Sequence, residues 1–224
     1  MSQSVDDERR ESRAISSIGE RPLPLPAADS RVRQSRGGAR KQQIISEAVR
    51  LLAENGFRGM TVAGLADRIG MTAPGLLYYF GTKDRLLLDV LAERERVEGE
   101  FYASQDRAWV SLASTPLVAE NNVREAVFAR LYVVLAAESL NDGDPLHEFF
   151  VDRYERTRRF VARAVEADKE RGRVRVDVDV AHVAREVISV MMGAELQWLM
   201  DPDRFEYLAT IEIYTAELVA RLAP

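Results

Sequence analysis

Residues 61–85 read TVAGLADRIGMTAPGLLYYFGTKDR, and the helical reading of this stretch decides the fold. Thr61 can accept an otherwise unpaired backbone N–H in the first turn of a helix. Val62, Leu65, Ala66 and Ile69 then fall on one helical face. Gly70 offers the positive φ that stops a helix, and Met71 makes the turn. Thr72 can cap a second helix with Pro74 in its first turn, where a missing N–H costs little. Phe80-Gly81 closes that helix and Thr82 can cap the next. Two short helices joined by a tight glycine turn present a recognition helix to the DNA major groove.

Upstream, the apolar positions Ile44, Ile45, Ala48, Leu51 and Leu52 predict a helix from Ala39 to Asn55, with Gly56 as its stop and Phe57 plugging a three-helix core. Residues 1–38 are rich in Ser, Arg and Pro and carry too few large apolar groups to offset the entropy of ordering. They read as a disordered arm, whose Arg31, Arg33 and Arg36, with Arg40 and Lys41 beyond it, could reach phosphates or the minor groove. Downstream, Leu86, Leu87, Val90 and Leu91 form the buried side of a helix from Thr82, which becomes highly charged at 93–100.

From residue 101 onward the pattern predicts only helices. Thr115-Pro116 either starts or kinks one within 104–119. Val123, Ala126, Val127, Leu131, Val134 and Leu135 predict a buried helix over 123–140. The run 141–145, NDGDP, breaks it. A long helix follows over 145–171 and ends at Gly172. Residues 173–180, RVRVDVDV, alternate like a strand. No second strand exists to pair with them, so an extended linker is expected, with Asp179 capping a helix over 180–200. A last helix runs over 202–222. The fold class is therefore all-α: an N-terminal three-helix domain at 39–85 and a C-terminal helical bundle at 86–224.

Composition narrows the function. The 224 residues are 46% apolar and 30% charged, ordinary for a soluble globular chain. No cysteine is present. That excludes disulfides, thiolate catalysis and cysteine-held metals, and it fits a cytoplasmic setting. No apolar run approaches the roughly 18–20 residues of a membrane span, and the first residues do not form a secretory signal. The net charge of −5 is unevenly distributed. Residues 39–90 hold 7 basic and 5 acidic groups, whereas 91–224 hold 17 basic and 25 acidic ones. DNA affinity follows local cation placement rather than the total. His147 and His182 are the only histidines, and both sit where a capping or surface role suffices. With no nucleophile–base pair, phosphate loop or metal spacing, neither an enzyme nor a cofactor or metal site is expected.

Residues 39–91 resemble the DNA-binding domain of the tetracycline-repressor (TetR) family, on Gly56-Phe57, Thr61-Val62, Ile69-Gly70, Leu76, Tyr78-Tyr79-Phe80, Thr82-Lys83 and Leu86-Leu87. The resemblance implies a homodimeric regulator, probing double-stranded operator DNA and released from it by a small-molecule effector. By match to the family pattern, Thr61, Tyr78, Tyr79, Thr82 and Lys83 sit where phosphates are contacted, and Thr72, Ala73 and Gly75 where base edges are approached. Lys83 and Thr82 also lie at a helix start, where free N–H groups attract an anion. Two positions depart from the pattern: Leu77 replaces the usual Tyr, and Gly75 a small polar residue. Gly64, inside the first short helix, costs roughly 1 kcal/mol against alanine.

The resemblance further implies that the last two helices pair two subunits, with Val183, Val187, Leu208, Ile211, Thr215 and Leu218 as candidate faces; the alternative is that these residues form the chain's own core. A ligand cavity within the bundle would draw on Tyr102, Trp109, Phe128, Tyr132, Phe150, Tyr154, Met191, Met192 and Trp198. A different class remains open: a helical ligand-binding or interaction protein whose DNA-binding head is weakened by Gly75 and Leu77.

Overall fold

A computed structural model describes residues 36–104 and 111–224, with the side chains at 36–37, 53, 56–59 and 101–104 left undescribed. The arm expected at 1–38 lies outside the described residues, except that 36–38 open the first helix. Nine α-helices follow among the described residues: α1 (Arg36–Gly59), α2 (Val62–Arg68), α3 (Ala73–Phe80), α4 (Lys83–Ser104), α5 (Thr115–Arg124), α6 (Ala126–Glu138), α7 (His147–Glu170), α8 (Val180–Met200) and α9 (Tyr207–Leu222). A short 3-10 turn at Leu112–Ser114 leads into α5. The chain divides into two compact units. One holds the described residues up to Ala103 with Arg130–Phe150. The other holds the described residues of 104–129 with Val151–Pro224.

In the first unit, Ile44, Ala48 and Leu52 of α1, Leu65 of α2, Leu76 of α3 and Leu86 and Leu91 of α4 are fully or almost fully buried. The three α1 residues are spaced by four, and in α4 Leu86 with Val90 and Leu87 with Leu91 repeat that spacing, which puts one apolar stripe of each of these two helices inside. Polar groups add a frame around these stripes. Lys41 of α1 lies 5.3 Å from the ring centroid of Phe80 in α3 and pairs with Asp89 of α4. The expected stop at Gly56 is not where α1 ends. The helix continues to Gly59, because the break is made further on by Thr61, which is extended (φ −112°) and starts α2.

In the second unit, α9 packs on α5 and α8. One apolar cluster joins Leu112, Val165, Val174, Val183, Val187, Leu218 and Leu222; another joins Ala119, Ala194, Tyr207 and Ile211. Pro116 falls in the first turn of α5, so it starts that helix rather than kinking one. The single helix expected over 123–140 is two helices. Glu125 leaves helical geometry (φ −108°, ψ 37°) as the C-cap of α5, so Val123 belongs to α5 and Ala126 opens α6. The apolar period carries across this break, which is why the sequence pattern hides it. Gly172 does end α7, at φ 69°. The alternating run 173–180 is neither a strand nor the extended linker expected: the chain bends at 173–174, the Val178 N–H closes a turn on the Arg175 carbonyl at 3.4 Å, and Val180 already opens α8. The Arg175 N–H donates to the Leu222 carbonyl at 3.0 Å, and the Val178 carbonyl accepts from Lys169 at 2.7 Å. Val174 is buried while Val176 is exposed. Asp179 caps α8 by accepting the His182 N–H at 3.0 Å.

Candidate nucleic-acid interface

Three threonines start the three helices of the candidate site. Thr61 Oγ1 accepts the Gly64 N–H at 3.0 Å, Thr72 Oγ1 the Gly75 N–H at 3.1 Å, and Thr82 Oγ1 the Arg85 N–H at 3.1 Å. Each bond satisfies a donor that the helix itself leaves unpaired. Both glycines sit close under their caps, where an added Cβ would make the threonine hydroxyl give by a few tenths of an ångström. A Cβ on Gly64 would lie 3.1 Å from the Thr61 hydroxyl oxygen, and one on Gly75 would lie 3.0 Å from that of Thr72. Gly75, a departure from the family pattern, therefore lets its cap hydroxyl seat closely. The turn between α2 and α3 needs Gly70 at φ 66°, and the exit from α3 needs Gly81 at φ 76°. Met71 N–H closes the first turn on the Ala66 carbonyl at 2.8 Å.

The core side of α3 is Leu76 and Phe80, both buried. Its opposite side carries Pro74, exposed, and Tyr78, 87% exposed, with Gly75, Leu77 and Tyr79 half-covered. The two tyrosine rings meet edge to face at 5.8 Å. Thr61, Thr72, Thr82 and Lys83 are exposed, and Ala73 is half-exposed at the first position of α3. These residues thus occupy α3 and the starts of α2, α3 and α4. Arg40 is differently engaged. Its Nη2 donates to the Ile69 carbonyl at 3.0 Å and its Nη1 to Gln43 at 2.6 Å, so it completes the end of α2.

Sequence reasoning missed Arg68. Its guanidinium reaches from α2 to two carboxylates of α1, pairing with Glu47 and bidentately with Glu54, one of whose bonds is 2.8 Å. Burial alone would raise the Glu47 carboxyl, but hydrogen bonds from Arg50 and Arg68 hold it below the ordinary value. The hydrogen bond from Arg68 does the same for Glu54. The available signal was the seven-residue spacing of Glu47 and Glu54, which stacks them on one face of α1.

The candidate pocket residues are divided between the units. In the first, Tyr132 meets Phe150 edge-on at 6.5 Å, and Phe150 meets Phe149 at 5.2 Å. In the second are Phe128, Tyr154, Met191, Met192 and Trp198. Trp198 stacks on Tyr207 at 5.3 Å and 12°. Met191 packs against both apolar clusters, while Met192 is exposed. Trp109 and the side chain of Tyr102 lie outside the described residues. Tyr207, which the sequence reading passed over, is buried beside Asn122, whose amide donates to Glu195 at 3.0 Å and to the phenol oxygen at 3.3 Å. Burial, and then the Glu195 charge, push the Tyr207 phenol up.

The candidate pairing residues lie on the inner sides of α8 and α9. Val183, Val187, Ile211, Thr215 and Leu218 are buried in the chain's own core, and Leu208 packs against it. The exposed apolar residues of the same two helices are Met192, Leu196 and Met200 on α8 and Ile213 on α9. His147 Nδ1 donates to the Ser139 carbonyl at 2.8 Å, and His182 is exposed near Glu186. Among the described residues no helix is long and apolar enough to cross a membrane.

Residues 44–90 match the family model of the bacterial regulatory proteins of the tetR family, and residues 106–223 match that of the C-terminal part of BetI-type transcriptional repressors. The HTH-type transcriptional repressor AcnR of Corynebacterium jeikeium is 28% identical over 158 residues, which are 69% of this chain and 78% of AcnR. The tetracycline repressor protein class C of Escherichia coli is 42% identical over 53 residues, 24% of each chain. A TetR transcription regulator from Haloarcula marismortui superposes with a TM-score of 0.66 at 23% identity, over 82% of this chain and 98% of its own. FadR of Bacillus subtilis, in complex with stearoyl-CoA, does so with a TM-score of 0.56 at 19% identity, over 79% and 96%. At these identities the two structures speak to the all-α fold alone.

Proposed function

The chain belongs to the tetR family of bacterial regulatory proteins, DNA-binding transcriptional regulators with a ligand-binding C-terminal part, and from that premise we propose a cytoplasmic homodimeric repressor that leaves a partly palindromic operator when a small molecule binds. Residues 39–85 are its DNA-binding domain and 86–224 its ligand-binding and dimerisation part. Thr61, Tyr78, Tyr79, Thr82 and Lys83 hold phosphates; Thr72, Ala73 and Gly75 approach the bases. Arg40 supports this surface from behind through the Ile69 carbonyl.

The observation that carries the reading is the outer side of α3. Tyr78 stands out from it almost fully exposed, between the exposed caps Thr72 and Thr82. A tyrosine there can donate its hydroxyl to a phosphate while neighbouring helix starts offer backbone N–H groups.

Pairing of two chains uses the exposed stripe Met192, Leu196 and Met200, spaced by four residues along α8, with Ile213 on α9. Two subunits read two half-sites. The effector binds among the aromatic and methionine residues of the second unit, Phe128, Tyr154, Met191 and Trp198, and it acts only through its different affinities for the DNA-competent and released states.

The test is selection of random duplex DNA on the purified chain, followed by the salt dependence of the best binder. An enriched inverted repeat is expected. Lys83→Ala is expected to weaken all sequences similarly and to lower the salt slope by about 1. A chain that enriches no motif, and whose Lys83→Ala variant behaves identically, would instead be a helical ligand-binding or interaction protein with a weakened head.

A further inference from the structure

Reading a purine in the major groove takes a bidentate side chain: Arg or Lys on guanine, Asn or Gln on adenine. Residues 61–81 contain no Lys, Asn or Gln. Their one arginine, Arg68, is held by Glu47 and Glu54. Asp67 is on α2, the helix that in this motif crosses the DNA backbone, where its charge is repelled by phosphate. Within α3 itself only Tyr78 and Tyr79 carry polar side-chain atoms. The Thr72 hydroxyl oxygen is already an acceptor for the Gly75 N–H.

What the outer side of α3 does present is apolar. Pro74, Leu77 and Tyr78 are related by three and four residues, so they share one face. Pro74 and Tyr78 are exposed and Leu77 is half-exposed, while Leu76 and Phe80 face the core. The major groove offers one apolar feature that distinguishes bases, the C5 methyl of thymine.

Resting on the DNA-binding reading above, we propose that this chain recognises its operator chiefly by thymine methyl groups, with Pro74, Leu77 and the Tyr78 ring as the apolar readers. The half-site that fits such a face is rich in thymine at the positions under α3. Because 5-methylcytosine carries its methyl at the same ring position, it can substitute in part for thymine.

The experiment uses the full chain and the best duplex from the random selection. Each thymine is replaced in turn by deoxyuridine, which removes only the methyl. Burying one methyl contributes about fourfold in affinity, so each contacted thymine should weaken binding by about that factor, and a symmetric pair by about fifteenfold. At these positions 5-methylcytosine should bind better than cytosine. Leu77→Ala and Pro74→Ala should each abolish the thymine–deoxyuridine difference at its own base while leaving the salt slope unchanged.

Two results overturn the inference while leaving the regulator intact: a selected duplex bound tightly with less than a twofold deoxyuridine effect everywhere, or full discrimination retained in both variants. The second would mean that the methyl acts through DNA shape. Failure to bind any duplex even at low salt overturns the DNA-binding reading, and this inference with it.

Discussion

Replacing Asp168 by alanine should loosen the C-terminal unit severely. Asp168 sits near the end of α7 and is 3% exposed. Its Oδ2 accepts the Ser111 hydroxyl at 2.9 Å and the Leu112 N–H at 2.8 Å, both buried bonds. Its Oδ1 faces Arg171 and Arg173 at 3.6 and 3.8 Å, partly exposed cations that add little. The two buried bonds go to a charged acceptor, and such bonds contribute about 1.5–3 kcal/mol each. Their loss also leaves the Leu112 N–H buried at the start of the 3-10 turn. Asp168→Ala should therefore cost about 3–5 kcal/mol. Asp168→Asn keeps one acceptor oxygen and should cost about 1–2 kcal/mol, the difference between a charged and a neutral hydrogen bond. The assay is urea unfolding followed by tryptophan fluorescence, since Trp198 is stacked on Tyr207 in the same unit. A lower midpoint with an unchanged slope is expected. A loss below about 1 kcal/mol for Asp168→Ala would refute the assignment of this carboxylate as the anchor of the turn that starts α5.

Arg68→Ala should weaken DNA binding by loosening α2 while leaving the salt slope unchanged, because its guanidinium is committed to Glu47 and Glu54; a slope reduced by about 1 would make it a phosphate contact instead. Those two carboxyls lie below their ordinary value of 4.5 in the folded chain. They contribute stability that is present above 4.5 and is lost as pH falls below it. The urea midpoint of the wild type should therefore drop below that pH more steeply than that of Arg68→Ala, and equal slopes would discount the pair. If two chains pair through α8 as proposed, Leu196→Glu should lower the sedimentation coefficient from that of a dimer to that of a monomer in analytical ultracentrifugation and remove tight operator binding, with helical content preserved by circular dichroism; an unchanged sedimentation coefficient would move the pairing surface elsewhere.

Which parts of this molecule could be read in advance follows from the range of the forces involved. Thr61, Thr72, Thr82 and Asp179 cap helices three residues ahead of themselves. Gly70, Gly81 and Gly172 supply positive φ at the end of a helix. A cap or a left-handed turn depends only on neighbours in sequence, so residue type and spacing suffice. The outer side of α3 was legible for the same reason, since Leu76 and Phe80 mark its inner side. Gly56 misled because a glycine is not itself a stop: it ends a helix only where the chain uses its positive φ.

Tertiary structure alone decided what depends on distant partners. Arg68 was an ordinary surface cation until Glu47 and Glu54, 21 and 14 residues away, closed on it. Asp168 gained its role from Ser111, 57 residues away. The alternation of 173–180 would put Val174 and Val176 on the same side, yet Val174 is buried and Val176 exposed, because the run turns and ties its Arg175 N–H to the end of α9 rather than to a second strand. Helix α8 is apolar on two sides. Periodicity places Val183 and Val187 on one and Leu196 and Met200 on another, yet the hydrophobic effect has no direction. Only the packing of α5 and α9 shows that the first side is the chain's own core and leaves the second to be covered by something else.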